Sequence, residues 1–202
     1  IIEALSYFTE FWPSDNTDPI ERLFIQWGFS QVFPAKTMCA HVTTWNKNSS
    51  VKFRTDVAMM CKLGFDIKLA DMSKDDETYC RTAVQNYNRL KPVVLEGDMY
   101  RLVSPYGSNH TSTMYVGKDK DKAVVFAFDI HPRYAEKTLP VRLQGLDADK
   151  MYRVKEINLM PGANSSLSGN GEVFSGEFLM NVGLNLFTTQ QLNSRVVEVV
   201  AE

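Results

Sequence analysis

Cysteine is scarce in this chain: Cys39, Cys61 and Cys80 are the only three in 202 residues. An odd number with no CxxC spacing indicates neither a disulfide framework nor a zinc site, so no metal is expected. Each reads instead as a buried thiol. Long apolar runs are lacking too, and no stretch reaches the roughly 18 to 20 residues that a membrane span needs. Charge of one sign is not in excess. The formal net charge is -2 and the pI about 6.0, which gives no electrostatic reason to expect nucleic acid or an anionic membrane as partner. The opening residues, IIEALSYFTE, carry no basic n-region and no cleavage-like site, so they do not read as a signal peptide. The compartment stays open. A glycine-bearing stretch, GANSSLSGNG, has no strand-to-helix context and reads as a loop, and no cofactor motif is found.

What is present divides into two grammars. Residues 1–95 alternate short apolar runs with helical runs. SYFTEFW (6–12) is aromatic and β-forming, as a buried strand would be. Asp18 then looks like an N-cap, with Pro19 at the first helical position and Glu21 completing a capping box. Ile20, Leu23, Phe24 and Trp27 follow at helical spacing, and Gly28 is expected to stop the helix. The unit recurs: TMCAHV (37–42) reads as a strand, and Phe53, Val57, Met60 and Cys61 as the stripe of a second helix ended by Gly64. FDIKL (65–69) reads as a third strand. Ser73 and Asp76 then cap a third helix, whose stripe is Tyr79, Cys80, Ala83, Val84, Tyr87 and Leu90. Such alternation is the grammar of a parallel sheet with helical crossovers.

After KPVVLEGD (91–98) the helical pattern stops. MYRLVS, TSTMYVG, KAVVFAFDI, LPVRLQG, KMYRVKEINL, GEFLMNVGL and SRVVEVV are strand-like runs separated by turn signals such as SPYGSN and GLDADK. The expected fold class is therefore α/β followed by all-β: residues 1–95 an α/β unit, residues 96–202 an antiparallel β-sandwich of about seven strands. Three βα units cannot close a barrel that needs about 250 residues, and alone they leave raw sheet edges. Because the chain opens partway into an element, the first unit is expected to be the end of a larger (β/α)₈ barrel. That remnant would need the rest of its barrel or would self-associate.

The stretch FWPSDNTDPIERLFIQWG carries a resemblance that fits this reading. Trp12, Ser14, Asp15, Thr17, Asp18 and Arg22 match the Trp-x-Ser-Asp-x-Thr-Asp-x-x-x-Arg pattern found late in the barrel of glycoside hydrolase family 36 α-galactosidases. FPAKTMCAHVTTW and FRTDVAMMCKLGFDIKL resemble the family's next two βα segments, and AVQNYNRLKPVVLEGDMYRLVSPY its last barrel helix and entry into a C-terminal sandwich. LQGLDADKMYRVKEIN is similar to a late hairpin of the family. One departure is local: Met38-Cys39 stands where the family pattern has Met-Gly.

The resemblance implies a retaining hydrolase that acts on terminal α-galactosyl residues of oligosaccharides, with Asp15 as general acid/base. Trp12, Asp18 and His41 are the candidate substrate-binding residues. Asp18 also suffices as a helix cap, and Arg22 is expected to pair with it at i, i+4. An apolar wall of Phe11 and Trp12 is expected around Asp15. The family's nucleophile lies in a Lys-x-Asp-x-Asn stretch, and no such stretch occurs here. The alternative is a catalytically inert piece, or a β-sandwich module associated with carbohydrate.

Overall fold

A computed structural model describes residues 3–45 and 48–202. The first expected strand, 6–12, does not form. A 3₁₀ turn spans Glu3–Ser6, and only Phe11 pairs, as a single parallel bridge to Met38. A lone outer segment has a neighbour on one side only, so local β propensity cannot extend it. Beside that bridge lie β1 (Cys39–Thr43) and β2 (Lys62–Asp66), parallel and in register, with His41 opposite Gly64. Gly64 therefore sits inside β2 and does not end a helix. FDIKL likewise reaches strand geometry only in its first two residues, and Leu69 belongs to a 3₁₀ turn.

Three helices flank these strands. Helix α1 (Pro19–Phe29) begins where the sequence places it, because Asp18 Oδ1 accepts the amides of Ile20 and Glu21 at 2.9 and 3.2 Å. It runs one residue past Gly28 and is capped by Ser30. Helix α2 (Val51–Ala58) stops before Met60 and Cys61, since Met59 is already its C-cap. Helix α3 (Lys74–Glu96) starts on the Ser73 cap and buries Tyr79, Cys80, Ala83, Tyr87 and Leu90. Val84 from the expected stripe is exposed.

Residues after α3 build one antiparallel sheet in the order β3-β4-β5-β8-β6-β7. Its strands are β3 (Asp98–Val103), β4 (His110–Val116), β5 (Lys122–Asp129), β6 (Met151–Ile157), β7 (Val173–Ser175) and β8 (Asn193–Ala201). The expectation of two packed sheets is not met among the described residues. LPVRLQG contributes one bridge, Val141 to Leu184, and GEFLMNVGL holds helix α4 (Gly176–Asn181), started by Ser175. The second layer over the sheet is this helix with irregular chain.

The continuous apolar run AVVFAF makes sense once both faces of β5 are seen to be covered. Tyr115, Val124, Phe126, Phe128 and Val196 pack against α2 and α3. Val125, Ala127, Val197 and Val199 pack on the other side against Val141, Leu143, Leu179 and Leu184. At about 1.5–3 kcal/mol for each fully buried large apolar side chain, the first of these faces ties the α/β part to the sheet. A polar knot reinforces the join. Asp56 of α2, fully buried, accepts from Lys52 Nζ (2.6 Å), Ser194 Oγ (2.7 Å), Tyr79 Oη (2.9 Å) and Asn158 Nδ2 (3.0 Å). The core thus crosses the 95/96 boundary.

Candidate active site

The bridge at Phe11, β1 and β2 all run the same way, so the segments that follow them share the C-terminal end of the small sheet. That is the end at which parallel α/β units build their sites. The first of these segments, residues 12–18, contains Asp15. It is extended and has little regular structure, yet it is tied down at several points. Asn16 Oδ1 accepts the Asp18 amide at 2.9 Å, and Thr17 Oγ1 meets Thr43 Oγ1 at 3.0 Å, joining the segment to the end of β1. Asp18 closes it by capping α1.

Arg22 is the main anchor. It is buried, and its guanidinium donates to the carbonyls of Ser14 (3.3 Å) and Cys39 (2.9 Å) and to Gln26 Oε1 (3.4 Å). The expected pairing with Asp18 does not form, because the cap already engages that carboxylate and the backbone carbonyls receive the guanidinium. A buried cation needs such acceptors, and burial moves the Arg22 pKa downward, against smaller opposing effects of Cys61 and Cys39. The same guanidinium lies 5.5 Å from the Trp12 ring, within reach of a cation–π contact.

Trp12 and His41, both predicted from sequence, come together: their ring centroids are 4.3 Å apart. What seats His41 is Gly64, across the β1–β2 ladder. A Cβ built on Gly64 would stand 2.5 Å from His41 Nε2 and nearer still to Cδ2. The glycine signal was visible in the sequence as an odd residue in an apolar run, though it was read there as a helix stop. Burial lowers the His41 pKa; Arg22 adds to this and Asp66 opposes it. His41 is therefore a neutral imidazole near neutral pH.

Asp15 is exposed at the corner of the loop. The expected apolar wall around it is not assembled, since Phe11 packs on Phe29 and Phe33 at 5.6 and 4.9 Å and Trp12 on His41. Asp18 is half-buried with Oδ1 committed to the helix start. Among the described residues no group of three or more His, Cys, Asp or Glu could hold a metal ion. The arrangement offers one free carboxylate beside a rigid rim of indole and imidazole, open to whatever stands next to it.

Two family models between them match most of the chain. Residues 2–97 match Melibiase, and residues 110–199 match the glycosyl hydrolase family 36 C-terminal domain. The chain belongs to glycoside hydrolase family 36. Among curated relatives of this family-36 chain, alpha-galactosidase 2 of Hypocrea jecorina is 35% identical over 200 residues, 96% of this chain and 25% of that protein. Alpha-galactosidase 1 of Pediococcus pentosaceus is 30% identical over 88% of this chain and 23% of that protein. The chain therefore spans about a quarter of the length of the relatives it matches. The crystal structure of the family-36 α-galactosidase AgaB from Geobacillus stearothermophilus superposes with a TM-score of 0.86 at 28% identity, covering 98% of this chain and 26% of that one. A variant of AgaA from the same organism, solved in complex with raffinose, superposes with a TM-score of 0.85 at 27% identity, covering 98% and 26%.

Proposed function

We propose that this chain is the C-terminal part of a retaining α-galactosidase that removes terminal α-galactosyl residues from oligosaccharides. In this reading residues 1–95 are the last three βα units of the catalytic barrel and residues 96–202 the β domain behind it. The observation that carries it is the anchored loop 12–18, which holds the exposed Asp15 at the C-terminal end of the parallel strands. The raffinose bound to the AgaA variant supports the substrate class.

Asp15 then acts as general acid/base. Protonated, it gives its proton to the glycosidic oxygen while a carboxylate about 5–5.5 Å away attacks the anomeric carbon. As carboxylate, it takes a proton from the water that releases the sugar. The nucleophile comes from outside these residues, as no Lys-x-Asp-x-Asn stretch occurs among them. Neighbouring barrel segments would supply the walls that exclude water from Asp15, a job no apolar side chain of loop 12–18 performs. Trp12 offers a flat apolar face to the sugar, and neutral His41 beside it can exchange hydrogen bonds with a hydroxyl. Asp18 works mainly by holding the loop.

The test is Asp15→Asn in the full-length protein, assayed on raffinose and on a nitrophenyl α-galactoside. Turnover of raffinose should fall by about 10² to 10⁴, the usual worth of general acid catalysis, with far less loss on the aryl substrate, whose leaving group needs little protonation. Equal losses would refute the acid role. The 202-residue chain alone should hydrolyse neither.

A further inference from the structure

A second buried histidine stands well away from loop 12–18 in sequence and belongs to the β domain. His110, the first residue of β4, is 3% exposed, and its Nδ1 lies 2.8 Å from Asp129 Oδ1 on β5. Asp129 also accepts from Thr188 N (3.1 Å), Thr188 Oγ1 (2.6 Å) and Asn193 Nδ2 (3.0 Å). A carboxylate so surrounded by donors is an acceptor only, so Nδ1 of His110 carries the hydrogen and the neutral ring's Nε2 is left as an acceptor. That Nε2 is buried and has no hydrogen-bond partner. Buried polar atoms in folded proteins nearly always have one, and an orphan asks for a reason.

The surroundings offer one. His110 lines an open groove of about 600 Å³ together with Glu136, Lys137, Leu139, Arg142 and Phe187. Phe187 stacks against the imidazole with centroids 4.6 Å apart, which fixes the ring plane. Glu136 Oε1 is 3.8 Å from Nε2, too far for a hydrogen bond. The carboxylate is held in place by the Arg133 amide (2.7 Å) and by Asn109 Nδ2 (3.1 Å). Two fixed acceptors thus stand side by side at a spacing that neighbouring hydroxyls on one sugar ring can meet with two ordinary hydrogen bonds. Lys137 and Arg142 provide donors at the rim, and Leu139, 82% exposed, provides an apolar surface with no partner. A mostly apolar groove with a few converging polar groups is the usual make-up of a small-ligand site.

We propose that this groove is a non-catalytic carbohydrate site in which adjacent hydroxyls of a sugar donate to His110 Nε2 and Glu136. It does not depend on Asp15 being the acid/base. The full-length protein, labelled with ¹⁵N-histidine, reads it directly, because this chain contributes just three histidines: His41, His110 and His131. Titration with galactose and with raffinose should shift the His110 Nε2 resonance saturably, in the direction of an imidazole nitrogen accepting a hydrogen bond. Glu136→Gln, on a side chain 23% exposed, should leave the fold intact and weaken that response about tenfold or more. A sugar that moves only His41, or a His110 response unchanged in Glu136→Gln, overturns the inference while leaving the proposed activity standing. Zn²⁺ that shifts His110 when no sugar does also overturns it, as the orphan nitrogen would then serve a cation.

Discussion

Gly64→Ala tests how the rim of the candidate active site is seated. The three atoms nearest an added Cβ all belong to the His41 ring, with Nε2 at 2.5 Å, so the methyl group and the imidazole cannot both keep their places. Overpacking of this kind costs about 1–3 kcal/mol. Replacing glycine in an extended strand returns about 0.4–1 kcal/mol by restricting the unfolded chain. The net loss is then about 0.5–2 kcal/mol, or a fall in Tm of about 1–8 °C at the two to four degrees per kcal/mol typical of this size. His41 is only partly buried, so the ring can swing outward and forsake its 4.3 Å contact with Trp12. Urea unfolding of the native protein, Gly64→Ala, His41→Ala and the double variant separates these effects. Once the ring is gone, the alanine at 64 should cost nothing, and the cycle should show a coupling of about 1–3 kcal/mol. Additivity within about 0.5 kcal/mol would refute the seating.

Three other outcomes follow from single sites. Asp56→Asn leaves Lys52 and three neutral donors without their carboxylate, and should cost about 3–5 kcal/mol by denaturant unfolding; a loss below about 1 kcal/mol would mean the knot carries little. The folded His41 pKa lies below its ordinary 6.5, so the unfolded chain binds its proton first as pH falls. Stability should therefore be full above pH 6.5 and decline below it until the folded pKa is reached, and His41→Gln should flatten that window in pH-dependent melts. Burial pushes the Cys61 thiol up to about 12, so a maleimide at pH 8 should label half-buried Cys39 first and reach Cys61 only on unfolding, as mass spectrometry of the peptides would show.

Much of the fold was legible because its signals are local. The starts of α1 and α3 follow from Asp18 and Ser73, whose side chains act within three residues of themselves. Strands β3, β4, β5, β6 and β8 are long apolar runs between turn residues and lie where the runs lie. The failures are equally physical. SYFTEFW has the composition of a strand but meets a partner at Phe11 alone. GEFLMNVGL looks β-like until Ser175 caps it and Leu179 is buried against the sheet, which makes it a short helix.

The candidate site divides the same way. The sequence by itself determined that Trp12, Ser14, Asp15, Thr17, Asp18 and Arg22 form one motif, because their spacing along the chain is all that a motif requires. It could not determine which groups touch. Arg22 turned from Asp18 to the carbonyls of Ser14 and Cys39, since a buried guanidinium seeks every acceptor within reach, whatever its place in the chain. Gly64 became the floor under His41 through strand register, and His110 acquired Asp129 on one side and an unmatched nitrogen on the other. Periodicity and caps act over a few residues and can be read from sequence. Contacts between residues 17 to 60 positions apart are decided by how the layers pack, and only the tertiary structure fixes them.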